Sequence, residues 1–222
     1  MGTFDELINA FKNRELLDLA LTHRSWVNEN PGQRGNNERL EFLGDAILEF
    51  IVSDALYTKF SRKEEGFLTA LRAKLVNTVD LAEVANGLEV GKYLYLSKGE
   101  EEGGGRENPS LLADTVEAII GALFLDGGLK KVKLFIDQNI LDDLDEKAKQ
   151  PLKDAKSLLQ EIVQSKGFST PKYQVLTEEG PDHAKTFTMQ VLVDDSVVGA
   201  GTGKNKSEAA QNAAKAALKK FL

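Results

Sequence analysis

The stretch 111-LLADTVEAIIGALFLD-126 constrains the fold more than any other part of this chain. Before its last residue the only charges are Asp114 and Glu117, three apart and therefore on one helical face of an otherwise apolar rod. A rod that is apolar on nearly every side is interior, so its two carboxylates meet other protein rather than bulk water. The chain must build a helical layer thick enough to enclose this helix. It must also supply what two enclosed acids need: carboxylates about 4 Å apart repel by about 4 kcal/mol at an intermediate effective dielectric, and a proton or a cation has to intervene.

A second stretch, 36-NNERLEFLGDAILEFIV-52, repeats the pattern. Glu38, Glu41 and Asp45 form one acidic stripe, while Leu40, Phe42, Ile47, Leu48, Phe50 and Ile51 predict burial over most of the helix circumference. Gly44 lies inside this helix at a cost of about 1 kcal/mol relative to Ala, which predicts close approach of another element. A single acidic pair is most simply a solvated face or the partner of an arginine. Two pairs on two apolar helices point instead to a shared cation.

The chain's other residues narrow that cation. Cysteine is absent, and neither histidine, His23 or His183, follows a Glu at the three-residue spacing of di-iron bundles. Zinc prefers His and Cys ligands, whereas an all-oxygen site suits Mg²⁺ or Mn²⁺, ions that accompany phosphate chemistry. His23, in LALTHRSW, reads as a structural residue near the end of its helix. Glu100, Glu101 and Glu102, beside 103-GGG-105, read as a solvated loop, and Glu65 reads as a first-turn acid that stabilises its helix.

Apolar residues recur at three and four from ELINAF through ELLDLALTHRSWVN, FLTALRAKLVNTVDLAEVANGL and LKKVKLFIDQNILDDL, so residues 1–146 predict an all-α domain. Periodicity fails around Pro151, and 147–153 are expected to form a linker. Residues 154–222 follow a different grammar. A helix in KSLLQEIVQSKG precedes strands in YQVLTEEG, TFTMQVLVDD and SVVGAGTG and an Ala-rich helix, SEAAQNAAKAALKKFL. That order predicts a small α+β (αβββα) domain with two helices on one face of an antiparallel sheet.

Charge follows the same division. The overall balance is -7, but from Leu152 onward 10 Lys face 8 Asp or Glu, leaving 18 basic against 27 acidic groups before it. The acidic part alone would repel a polyanion, and the C-terminal part would not. Lys204 and Lys206 flank the start of the last helix, with Ser207 expected at or near its N-cap, a position that favours phosphate. Ser157, Gln160 and Glu161 share one face of the preceding helix, and 180-GPDHAK-185, with His183, joins the first two strands. The lack of cysteine suits a reducing compartment, no apolar run approaches a membrane span, and the start lacks a signal-peptide layout, so a cytoplasmic location is expected.

LALTHRSW, NERLEFLGDA, EGFLTALRAKLVN and GGRENPSLLADTVEAIIGALFLDGG resemble the bacterial ribonuclease III domain, and GPDHAKTF with GTGKNKSEAAQNAAKAAL resembles a double-stranded RNA-binding domain. The resemblance implies a homodimeric, Mg²⁺-dependent endonuclease that cuts double-stranded RNA, with Mn²⁺ able to substitute. It implies 5′-phosphate and 3′-hydroxyl ends with short 3′ overhangs, and processing of precursor ribosomal and other structured RNAs. The family's four metal-site carboxylates map onto Glu41, Asp45, Asp114 and Glu117, Asp45 and Glu117 being the catalytic pair. Glu38 and Glu65 match further acidic positions of the family's catalytic valley, and Phe42 matches a dimer-interface residue. The RNA contacts would come from Ser157, Gln160, Glu161, His183, Lys204, Lys206 and Ser207. Ser207 departs from the family, which is commonly basic there. A retired, non-catalytic RNA-binding or ribosome-assembly scaffold is the alternative, and it would be expected to show substituted carboxylates.

Overall fold

Two long helices in backbone contact organise the N-terminal part of the molecule, and shorter helices close around them. The structure is a computed structural model and describes residues 3–150, 152, 154–181 and 185–221. It divides into two compact units, Met1–Gln150 and Pro151–Leu222. The first is all-α: α1 (Phe4–Ala10), α2 (Arg14–Ala20), α3 (Arg24–Glu29), α4 (Glu38–Lys59), α5 (Glu65–Leu75), α6 (Thr78–Gly87), α7 (Lys98–Glu102), α8 (Pro109–Asn139) and α9 (Leu144–Lys149).

The apolar rod is the first part of α8. Asn108 caps it by accepting from the Ser110 N–H at 3.0 Å, and Pro109 occupies the first turn, where a missing N–H costs nothing. Val116, Ile119, Ile120 and Leu123 are wholly buried. At Gly128, φ 71° and ψ −173° interrupt the helix, so the rod and the LKKVKLFIDQN segment are two helical stretches meeting at a glycine. The approach that Gly44 foretold is to α8: a Cβ there would stand 2.6 Å from the Glu117 carbonyl carbon and 3.0 Å from the Gly121 nitrogen.

Four local expectations are corrected. LALTHRSWVN is not one helix, because the backbone at Leu21–His23 pairs with another segment: Tyr95 N donates to Leu21 O (2.9 Å) and His23 N to Tyr95 O (3.1 Å). The helix expected across FLTALRAKLVNTVDLAEVANGL also divides, at Asn77, whose side chain accepts from the Val79 and Asp80 N–H groups and starts α6. Glu100, Glu101 and Glu102 lie in α7, capped by Ser97, rather than in a loop. Finally, α4 is not buried over most of its circumference. Phe42, Phe50 and Tyr57 are 81%, 60% and 75% exposed along one side, opposite the face that packs on α8.

The second unit comprises α10 (Ala155–Ser165), β1 (Lys172–Glu179), β2 (Thr186–Val193), β3 (Ser196–Gly203) and α11 (Lys206–Phe221). The strands form an antiparallel sheet in the order β1-β2-β3, with both helices on the face presented by Val191 and Val193. Asp194 and Asp195 turn the second hairpin at φ 47° and 59°, as a two-residue turn between right-twisted strands requires. Along β3, Gly199 and Gly201 admit the backbone of α11, where a Cβ would collide with Ala213. The expected linker, 147–153, begins inside α9, where Lys147 pairs with Asp80 at 2.8 Å; positions 151 and 153 lie outside the described residues. No helix among the described residues is long and apolar enough to cross a membrane.

Candidate active site

The close crossing of α4 and α8 brings their acidic faces together. Glu41, Asp114 and Glu117 can each offer one carboxylate oxygen within 4.8 Å of the others, and all three are half-buried. Asp45, one turn beyond Glu41, is exposed and lies outside this trio, yet its charge acts on both Glu41 and Glu117. Glu38 is drawn aside by Arg24 (3.3 Å) and by the Asn36 amide (3.0 Å). Glu65 begins α5 and accepts from the Thr69 hydroxyl at 2.7 Å; it does not join the trio.

Confinement of like charges changes the acids themselves. Burial, and then the charges of Asp45, Asp114, Glu41 and Glu49, push the Glu117 carboxyl up to about 7. Burial raises Glu41 as well, followed by Asp114, Glu38 and Asp45. Asp114 is raised by burial, with His23 opposing the shift. Such a cluster near neutral pH must hold either a proton or a cation. Its donor set is all carboxylate oxygen, which fits a hard divalent ion and gives nothing to a soft one.

Two nearby residues were not recognised in the sequence. Glu49 continues the stripe one turn past Asp45 and is held by Arg72 at 2.8 Å. That position was legible from helical spacing. His23 had no such signal: it is the N-cap of α3, and only the fold places it beside Asp114.

In the C-terminal unit Ser157, Gln160, Glu161, Lys204, Lys206 and Ser207 are all exposed, whereas His183 lies outside the described residues. The Ser157 hydroxyl donates to Asp154 (2.6 Å), and Gln160 lines a cavity of about 320 Å³ with Asp154 and Gln211. Lys206 pairs with Glu178 at 2.8 Å and stands over the Phe187 ring. Ser207 is not the N-cap of α11. Asn205 takes that role, accepting from the Glu208 N–H at 2.8 Å, because α11 starts at Lys206, two residues earlier than an N-cap at Ser207 would place it.

Residues 13–144 match the family model described as Ribonuclease-III-like, and residues 155–221 match the double-stranded RNA binding motif. Fold and site thus define a nuclease domain joined to a double-stranded-RNA-binding domain. Curated relatives named Ribonuclease 3 extend over both parts. The protein of Natranaerobius thermophilus is 45% identical, covering 97% of this chain and 94% of its own. That of Pelotomaculum thermopropionicum is 49% identical, covering 95% and 88%. Among solved structures, the nuclease domain of ribonuclease III from Campylobacter jejuni superposes with TM-score 0.57 at 42% identity, covering 63% of this chain and 94% of that one. A second structure of that domain, with TM-score 0.56, is described by flexibility in a region involved in dimer formation. The chain belongs to the ribonuclease III family of endoribonucleases.

Proposed function

We propose that this chain is a Mg²⁺-dependent endonuclease that hydrolyses double-stranded RNA to short products with 5′-phosphate and 3′-hydroxyl ends and 3′ overhangs, Mn²⁺ being able to replace Mg²⁺. The observation that carries this reading is the convergence of Glu41, Asp114 and Glu117 where α4 and α8 cross. With Asp45 they would hold the ion, and Glu38 and Glu65 would line the acidic valley around it. A bound divalent ion supplies polarisation of the scissile phosphate, activation of a water and charge neutralisation at the leaving 3′ oxygen. The chain's part is to fix the carboxylates on two helices whose backbones touch. Burial and the neighbouring carboxylates raise the Glu117 carboxyl, and any proton it carries must leave before the carboxylate can act as a ligand.

The working form is a homodimer that joins through the exposed side of α4, with Phe42 at the contact, and presents two centres to one duplex. Residues 1–146 form the catalytic domain, 147–153 the linker and 154–222 the RNA-binding domain. Ser157, Gln160 and Glu161 would meet one minor groove, His183 the next, and Lys204, Lys206 and Ser207 the phosphates between, a mode that reads A-form shape rather than sequence. The substrates would be structured cytoplasmic transcripts, precursor ribosomal RNA among them, as membership of the ribonuclease III family implies. The test is incubation with a long perfect RNA duplex, with and without Mg²⁺. Short duplexes bearing 5′-phosphates only when Mg²⁺ is present support the reading, and tight binding without cleavage in either ion overturns it.

A further inference from the structure

Beside the carboxylate trio lies a cavity of about 440 Å³ that shares Glu41 and Asp114 with it. Its lining also includes groups that could receive an anion. Two of the lining polar groups are already committed: the Asn37 amide donates to Ala20 O at 3.2 Å, and the Thr115 hydroxyl donates to Leu111 O at 2.6 Å. Leu94, Leu96 and Leu111 supply the apolar remainder. That leaves His23 and Arg24.

The His23 ring is oriented by its neighbours. Its Nδ1 accepts from the Ser25 N–H at 3.3 Å and lies 2.8 Å from the Ser25 hydroxyl, which itself accepts from the Ser97 N–H at 3.0 Å. A backbone N–H can only donate, so Nδ1 carries the lone pair and the ring proton sits on Nε2. The next residue, Arg24, makes one ion pair among the described residues, Nη1 to Glu38 at 3.3 Å, and its guanidinium has five N–H donors to offer. Glu38 is therefore spent on Arg24 at the rim while Glu41 and Asp114 face the cluster.

RNA presents a phosphate at every nucleotide, so a strand whose scissile phosphate lies over the trio must place another close by. Against Glu41 and Asp114 alone, that second phosphate would be repelled. We propose that His23 and Arg24 form a subsite for the backbone phosphate adjacent to the scissile one, and that Glu38 positions Arg24 for it. This rests on the proposed RNA-cleaving function. It assigns a binding role to a histidine that otherwise only caps a six-residue helix, and a positioning role to Glu38, the stripe carboxylate that Arg24 holds.

The test is a cycle between protein and substrate. His23→Ala, Arg24→Gln and Arg24→Lys are compared with the unaltered chain on an RNA duplex and on duplexes carrying one uncharged methylphosphonate on either side of the cleavage site. Loss of a hydrogen bond to a charged partner lowers kcat/KM about 10- to 100-fold on the all-phosphate duplex. On the duplex whose neutralised position matches the subsite, His23→Ala and Arg24→Gln add about 2-fold or less, and Arg24→Lys retains part of the activity on the parent duplex. If the protein and RNA changes multiply at both positions, the substitutions act through structure and the subsite does not exist. Arg24→Gln, at a largely exposed side chain, keeps the cycle readable should His23→Ala unfold. Failure of the unaltered chain to cut the parent duplex in Mg²⁺ would instead count against the proposed function.

Discussion

Gly44 and Glu117 meet through their backbones: a Cβ on the first would stand 2.6 Å from the carbonyl carbon of the second. The contact is reciprocal, since a Cβ on Gly121 would stand 3.1 Å from the Leu40 carbonyl carbon. Two missing methyl groups thus let α4 and α8 cross at the level of the carboxylates. The spacing of Glu41 from Asp114 and Glu117 depends on them.

Gly44→Ala should therefore lower stability by about 1–3 kcal/mol through forced separation of the helices, although alanine is the better helix former. Urea unfolding measures this, with cleavage falling in parallel. Gly66→Ala is the control, because a Cβ there meets nothing within 4 Å, and it should be neutral or slightly stabilising. Equal effects at the two positions would mean that helix propensity, not the crossing, decides.

Asp126, at the end of the rod, has a side chain only 2% exposed; it pairs with Lys131 and accepts from the Lys12 and Asn13 N–H groups at 3.1 and 2.7 Å. Burial would raise its carboxyl, but the Lys131 ammonium and the two backbone donors prevail and hold it at about 2. A carboxyl lowered from an ordinary 3.8 contributes fully above that value and loses its contribution as pH falls toward about 2. Asp126→Asn should thus be less stable than the parent at pH 7, and the difference should close as pH falls from about 4 to about 2. A difference independent of pH would show that packing, not charge, is what Asp126 supplies.

Much of this was legible in the sequence because period and chemistry agree. The stripe of Glu38, Glu41 and Asp45, the pair on the apolar rod, and Gly44 as a point of approach are all local patterns on single helices. What stayed hidden depends on distant partners. The break at Leu21–His23 comes from pairing with Tyr95, more than 70 residues away, and it is this break that puts His23 at the site. Helical spacing placed Glu38 and Asp45 on the stripe, but not which of its members would turn inward. Phe42 and Phe50 looked like core residues because an apolar side chain has the same periodicity whether it packs within a chain or is left for a partner. Ser207 and Asn205 differ by two positions: both are good N-caps, and the Asn205 side chain takes the Glu208 N–H while the Glu208 carboxylate reaches back to the Lys204 N–H.

The exposed side of α4 gives a test of assembly. Phe42→Ala should weaken the proposed dimer by about 10-fold or more, as expected for losing a buried aromatic anchor, while leaving monomer stability nearly unchanged because the side chain is 81% exposed in the single chain. Sedimentation across a range of protein concentrations reads the first effect and urea unfolding the second. An unaltered dissociation constant would remove Phe42 from the interface.

Deleting residues 152–222 should weaken RNA binding at physiological salt and leave Mg²⁺-dependent cleavage measurable at low salt, where the remaining phosphate contacts are strongest. Filter binding and gel-resolved cleavage on one duplex report both. Loss of cleavage at every salt concentration would show that the catalytic part cannot act without the RNA-binding domain.

The most direct test of the carboxylate cluster as the seat of the chemistry is Glu117→Gln, which keeps the shape of the side chain and removes its charge. Duplex binding and Mg²⁺-dependent cleavage are measured on the same preparation. Binding within about 2-fold of the parent with cleavage reduced by about 10³-fold or more is the predicted result, since the loss falls on the chemical step alone. Near-normal cleavage in Mg²⁺ would contradict the account and place the essential ligands elsewhere.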